Sequence, residues 1–231
     1  MPEDSSPRFT EDQTEERLVY FTLPMALNYQ RNSYKLWEGA LKTWNDPITR
    51  TVFSIQESVL LPTEVLRERL LRYKVALQPN KHVMTWQTLA RTINDSWGSV
   101  GSLLDDADRD FLKLRNIIQG THKKSFPYLS GPKIFNYWSY ILGEFGGAPL
   151  AHREFIEIAP DTHVIKGSVR LGVIDPAEAA ILSREEISQR WRTLLNGSGI
   201  APIDLHSPLW FWSRSNFAFE PIKQQLRLEA D

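Results

Sequence analysis

The 231-residue chain contains no cysteine. Disulfides, thiolate zinc sites, iron–sulfur clusters and cysteine nucleophiles are therefore excluded together. It also lacks any run of about 18 apolar residues, the length that a membrane-crossing helix needs. Neither sign of charge is in excess, with 27 basic residues against 28 acidic ones and a formal net charge of −1. That balance argues against a whole-body basic binder of nucleic acid and leaves room for a local patch. No period-two alternation of useful length is present, so little of the chain reads as strand. Nor does the start, MPEDSSPRFTEDQTEER, have the basic-then-apolar order of a secretory signal. A cytoplasmic protein, nucleoid-associated in a prokaryote and without a membrane partner, is the expectation.

What is present is a globular composition, 42% hydrophobic and 24% charged, on a chain long enough for one compact domain or two small lobes. Residues 1–16, polar and rich in carboxylates, read as a flexible tail. Beyond them the apolar pattern is helical. Leu66, Leu70, Tyr73 and Leu77 share one helical face after Pro62 and Thr63. Trp86, Leu89, Ile93 and Trp97 share another and stop at Gly98. Phe111, Leu114, Ile117 and Ile118 end at Gly120, and Ile134, Tyr137, Trp138 and Ile141 end at Gly143. Ser183 with Glu186 is a capping-box signature ahead of Ile187, Trp191, Leu194 and Leu195. The spacing predicts an all-α chain, with structured loops at 126–133 and 196–208.

Two stretches carry the sharpest chemistry. In the first, Ser130-Gly131-Pro132-Lys133 leads into a helix through Asn136 and Trp138. A glycine turn entering a helix leaves backbone N–H groups for a phosphate oxygen. A lysine at that start, beside apolar residues, can act as an amine nucleophile. In the second, Asp161-Thr162-His163-Val164 is followed by Arg170-Leu171-Gly172. An aspartate there can face a developing positive charge, or it can simply cap the helix.

These two stretches, in this order, resemble the helix-hairpin-helix DNA glycosylase superfamily, in particular its endonuclease III and adenine glycosylase branch. Gly131, Lys133 and Asn136 fall on the family's hairpin, and Asp161-Thr162-His163-Val164 with Leu171-Gly172 on its second segment. Ile203-Asp204-Leu205-His206 and then Arg214 look like a third. The likeness spans roughly residues 18–217. The chain departs from the pattern at Leu129, where the hairpin's first glycine is usual, and in a longer segment between Lys133 and Asp161. It also has Phe217 where cluster-bearing members begin their cysteines. Cysteine-free members include the archaeal 8-oxoguanine glycosylase/lyases.

The resemblance implies an all-α, two-lobed glycosylase fold without an iron–sulfur cluster. Residues 61–172 would form a six-helix lobe carrying the hairpin, and 17–60 with 173–231 the other lobe. It implies a DNA N-glycosylase with AP-lyase activity in base excision repair, acting as a monomer on double-stranded DNA that contains a damaged base, with oxidised purine favoured. Lys133 would form a Schiff base and Asp161 would support it. Ser130, Gly131, Lys123, Lys124, His163 and Gln30 would contact DNA, and Trp138, Trp210 and Trp212 would line the base pocket. No cofactor is implied beyond a monovalent cation that the hairpin carbonyls could hold. Two other readings stand beside this one: an N-glycosidase of free nucleosides or nucleotides, and a DNA- or nucleotide-binding protein without chemistry. For single residues the plainer readings are a cap at Asp161, structural roles for His163 and His206, core packing for Trp210-Phe211-Trp212, and a solvated pair at Lys123-Lys124.

Overall fold

A computed structural model describes residues 2–29 and 31–218. The protein is predominantly helical, with 66% of the described residues in helices. Among the described residues no strand forms, only an isolated bridge between Asp110 and Ala151. The chain divides into two compact units, Met1–Glu157 and Ile158–Asp231. This differs from the division expected at 60/61 and 172/173. The break falls at 157 because the elements on either side of it find their partners within their own unit.

In the first unit, α1 (Thr14–Ala26) is buried on every side from Leu18 to Ala26. A helix apolar all round must be enclosed, and here α2 (Ser33–Asn45), α5 (Lys81–Ser96), α6 (Val100–Asp106) and α8 (Pro132–Glu144) pack against it. Between α2 and α5 lie α3 (Ile55–Leu60) and α4 (Thr63–Arg72). α7 spans Phe111–Arg115. The core is aromatic: Tyr20 meets Phe53 at 5.1 Å and Trp44 at 5.6 Å between ring centroids. Such edge and tilted pairs add about 0.5–1.5 kcal/mol beyond their area.

The first sixteen residues are not a detached tail. Glu3 is 1% exposed and its carboxylate accepts the Tyr137 hydroxyl at 3.1 Å. Burial pushes the Glu3 carboxyl above its ordinary pKa, against the opposing effect of its hydrogen bonds. Phe9 inserts its ring among Tyr20, Phe21 and Trp44. One aromatic residue and one buried carboxylate are enough to tie down a segment that is otherwise polar. Glu15 accepts from the N–H groups of Val100 and Gly101, satisfying donors that the start of α6 leaves open.

Several helix ends follow their sequence signals. Gly98, at φ +81°, takes the left-handed turn that ends α5, and its N–H reaches the Ile93 carbonyl at 2.8 Å. Two others do not. The face predicted to run on through Tyr73 and Leu77 stops at Arg72, because Lys74 turns left-handed. The fourth face passes Gly143 and ends at Glu144. After α7 the chain widens into a π-helical turn, Asn116–Thr121.

The second unit holds α9 (Thr162–Arg170), α10 (Pro176–Ile181), α11 (Arg184–Leu195) and α12 (His206–Arg214). Ser183 and Glu186 form the capping box that the sequence announces, and Asp175 with Glu178 forms another. Its core is Ile158, Val164, Ile174, Ile187, Trp191, Leu209 and Trp212. The Trp191 indole N–H donates to Ser168 Oγ at 2.8 Å, so burial leaves it satisfied. Phe217 meets Trp212 edge-on at 4.7 Å. Phe217 thereby packs against the aromatic part of this core. α9 and α12 approach closely at Gly167, where a Cβ would lie 3.0 Å from Leu209.

Candidate functional site

The sequence-predicted residues gather around two helix starts, one in each unit. In the first unit the loop 126–133 closes without a glycine in the left-handed region. Tyr128 occupies it instead, at φ +61°, while Gly131 is extended at φ −67°. Leu129 therefore does not need to be glycine: the residue before it makes the turn. The Ser130 N–H reaches the Phe126 carbonyl at 2.9 Å and the Gly131 N–H reaches Tyr128 O at 2.9 Å. Gly131 thus spends its donor inside the turn, and Pro132 at the first helical position has none. This turn offers fewer backbone donors to an anion than a glycine turn would. The Ser130 carbonyl accepts from Gln119 Nε2 at 3.0 Å.

Lys133 is the second residue of α8 and is exposed. Asn136, one turn on, is buried and does structural work. Its Nδ2 donates to the Pro132 carbonyl at 2.8 Å and its Oδ1 accepts from the Glu157 N–H at 2.8 Å. The start of α8 is therefore fixed to the end of the long excursion that follows the helix. Fixed backbone under an exposed amine is what a positioned nucleophile requires.

In the second unit Asp161 is the N-cap of α9. One carboxylate oxygen, Oδ1, accepts from the N–H groups of His163 and Val164, both at 3.0 Å. The plainer reading of the Asp-Thr-His motif, a helix cap, describes this oxygen. α12 packs across α9 and brings further groups beside this start. His163 Nδ1 lies 3.2 Å from Ser213 Oγ. The Trp210 ring meets His163 edge-on at 5.2 Å and carries the Arg214 guanidinium 4.8 Å from its centroid. Asp161, His163, Trp210, Ser213 and Arg214 form one polar-aromatic cluster, with Trp210 half-buried and Arg214 exposed.

The remaining predicted residues are placed as follows. Lys123 and Lys124 are exposed on the short turn Lys123–Ser125, next to His122, whose ring meets Trp97 at 5.0 Å. Trp138 is fully buried in the first unit, its indole N–H donating to Thr22 Oγ1 at 3.1 Å. Trp212 sits in the core of the second unit. Of the three tryptophans expected at a base pocket, only Trp210 presents a partly accessible ring. Gln30 lies outside the described residues. Among those residues no group of three or more His, Asp or Glu could hold a metal ion.

Sequence reasoning missed Tyr128, Ser213 and the double role of Asn136. Ser213 carries no signal until α12 is laid on α9. The left-handed turn at Tyr128 and the tie from Asn136 to Glu157, 21 positions on, depend on the folded loop and leave no local signal.

No protein-family model matches the chain, and no curated protein and no solved structure matches it. No helix among the described residues is long and apolar enough to cross a membrane.

Proposed function

We propose that the protein is a DNA repair N-glycosylase with AP-lyase activity, built as a two-lobed helix-hairpin-helix glycosylase fold without an iron–sulfur cluster. The observation that carries this reading is the ordered pair of helix starts. An exposed Lys133 stands on a pinned α8 start, and Asp161 then caps α9 beside a half-buried Trp210. In this reading the damaged base is turned out of the duplex at a cost of a few kcal/mol and stacks on an aromatic surface, for which Trp210 is the candidate. As the base leaves, the sugar gains oxocarbenium character, and the Asp161 carboxylate stabilises that charge. The Lys133 amine attacks C1′ and the C1′–N bond to the base breaks, the base departing with a proton. Opening of the sugar ring gives the Schiff base. Loss of a proton from C2′ then expels the 3′ phosphate by β-elimination, which cuts the strand. Lys123 and Lys124 meet the phosphate backbone, and oxidised purine is the favoured target.

A second reading has its own support. The balance of 27 basic against 28 acidic residues suits a small substrate, so an N-glycosidase of free nucleosides or nucleotides is the alternative. Incubation with a duplex containing one 8-oxoguanine, and in parallel with free nucleosides and nucleotides, separates the two. The proposal expects base release and strand cleavage on the duplex alone. Release from free nucleosides with none from any damaged duplex would replace it with the alternative.

A further inference from the structure

A cavity of about 430 Å³ opens in the first unit. It is lined by the beginning of α2 and by the turn that follows α4. Among its lining side chains are five cations, Arg31, Lys35, Lys42, Arg72 and Lys74, and one carboxylate, Glu38. On a chain of net charge −1 this is a steep local excess of positive charge. Lys42 is paired with Glu38 at 2.6 Å, and Arg72 lies 3.4 Å from Asp46 outside the cavity. Arg31, Lys35 and Lys74 form no ion pair among the described residues.

The cavity is built rather than incidental. Gly39 presses α2 against the turn so tightly that a Cβ there would lie 2.5 Å from the Tyr73 carbonyl. Lys74 is held left-handed at φ +62°, which costs about a kcal/mol or more for a residue with a side chain. Arg31 fastens that turn from across the cavity. Its Nη1 donates to Val75 O at 2.6 Å and its Nη2 to Lys74 O at 2.7 Å. Its Nε is buried without a partner. What Arg31 brings to the cavity is therefore its charge and a fixed position, not a free hydrogen-bond donor. Burial lowers the Arg31 guanidinium to a pKa of about 10, so it remains charged at neutral pH.

We infer that this cavity is a binding site for a phosphate group carried by a nucleotide, either free or within a nucleic-acid backbone. Lys35 on α2 and Lys74 on the turn after α4 match the two negative charges of a phosphate, and the Arg31 guanidinium adds a third positive charge to the lining. The volume exceeds that of one phosphate and falls in the range of about 300–1,000 Å³ typical of small-molecule sites. The Tyr73 and Leu77 side chains supply the less polar part of the lining for the rest of the nucleotide. The inference does not depend on the excision chemistry proposed above.

Calorimetric titration of the full chain tests it, with pyrophosphate and a nucleoside diphosphate in one arm and a short undamaged duplex in the other. The variants are Lys35→Gln and Lys74→Asn, both at exposed positions, the second because asparagine tolerates the left-handed turn. Arg184→Gln, an exposed change of equal charge in the second unit, is the control. Each cavity variant is expected to weaken phosphate binding by about tenfold or more, against less than about twofold for the control. Unchanged melting midpoints exclude misfolding as the cause. Loss in the pyrophosphate arm assigns the site to free nucleotides, and loss in the duplex arm alone assigns it to the backbone. Absence of saturable binding in both arms, or equal losses in control and cavity variants, would overturn the inference. Because binding rather than turnover is read, failure of the glycosylase proposal leaves the result interpretable.

Discussion

The starts of α8 and α9 solve the same problem in opposite ways. α8 opens on Gly131 and Pro132 with no side-chain cap and leaves Lys133 exposed. α9 opens on a carboxylate that is already engaged with two backbone N–H groups. A proline at the first position removes one orphan donor, whereas a capping aspartate satisfies two. The difference lies in how each start is closed: the α8 start is pinned through Asn136 and leaves Lys133 exposed, while Asp161 closes the α9 start through one carboxylate oxygen.

Substitution can break this contrast. The largest effect is expected at Lys133, where Lys133→Gln should lower strand cleavage by about a thousandfold or more and leave the melting midpoint in place. A stability loss there would contradict the description of the α8 start. Asp161 comes next, and two replacements divide its roles. Asp161→Asn keeps a capping oxygen, so it should hold stability within about 0.5 kcal/mol yet reduce excision by about a hundredfold. Asp161→Ala should lose the same activity and about 1–2 kcal/mol besides. If both variants were as active and as stable as the unaltered protein, Asp161 would have neither role.

Smaller effects lie behind the two starts. His82 is 1% exposed beneath the hairpin side, its ring 6.5 Å from that of Tyr128. Its Nδ1 accepts the Leu77 N–H at 3.1 Å. Burial, with the Arg31 and Lys81 charges, lowers its pKa from 6.5 to about 4. Between those values the unfolded chain binds more protons than the folded one, so stability present above pH 6.5 is lost as the pH falls toward 4. His82→Asn, which keeps an acceptor for Leu77, should flatten that limb of the stability curve by an amount on the order of 2–3 kcal/mol. Denaturant titrations at stepped pH would show it. On the other side, Gly167→Ala presses a methyl against Leu209 and should cost about 1–2 kcal/mol, read as a lower melting midpoint.

The same contrast explains what could be read from the sequence. Local signals with local causes were legible: Gly98 ends α5, and Ser183 with Glu186 opens α11, because cap chemistry operates within a few residues. The stop at Arg72 was not legible, since it depends on Gly39 admitting the Tyr73 carbonyl and Arg31 holding the carbonyls of Lys74 and Val75. The polar first residues misled for the same reason, as Glu3 is buried by a tyrosine more than a hundred positions away. Asp161 as a cap was written in its spacing; Ser213 and Arg214 beside it required α12 to be in place. The cationic cavity was invisible because its charges come from α2 and from the turn after α4, and neither alone looks basic.

The central claim is an amine nucleophile at Lys133, and borohydride trapping tests it most directly. The protein is incubated with a duplex bearing 8-oxoguanine or an abasic site, reduced, and the adduct mapped by mass spectrometry. The account predicts a covalent protein–DNA adduct on Lys133 that disappears in Lys133→Gln and persists in Lys123→Gln. An adduct mapped to another residue, or none with any damaged duplex, would contradict it.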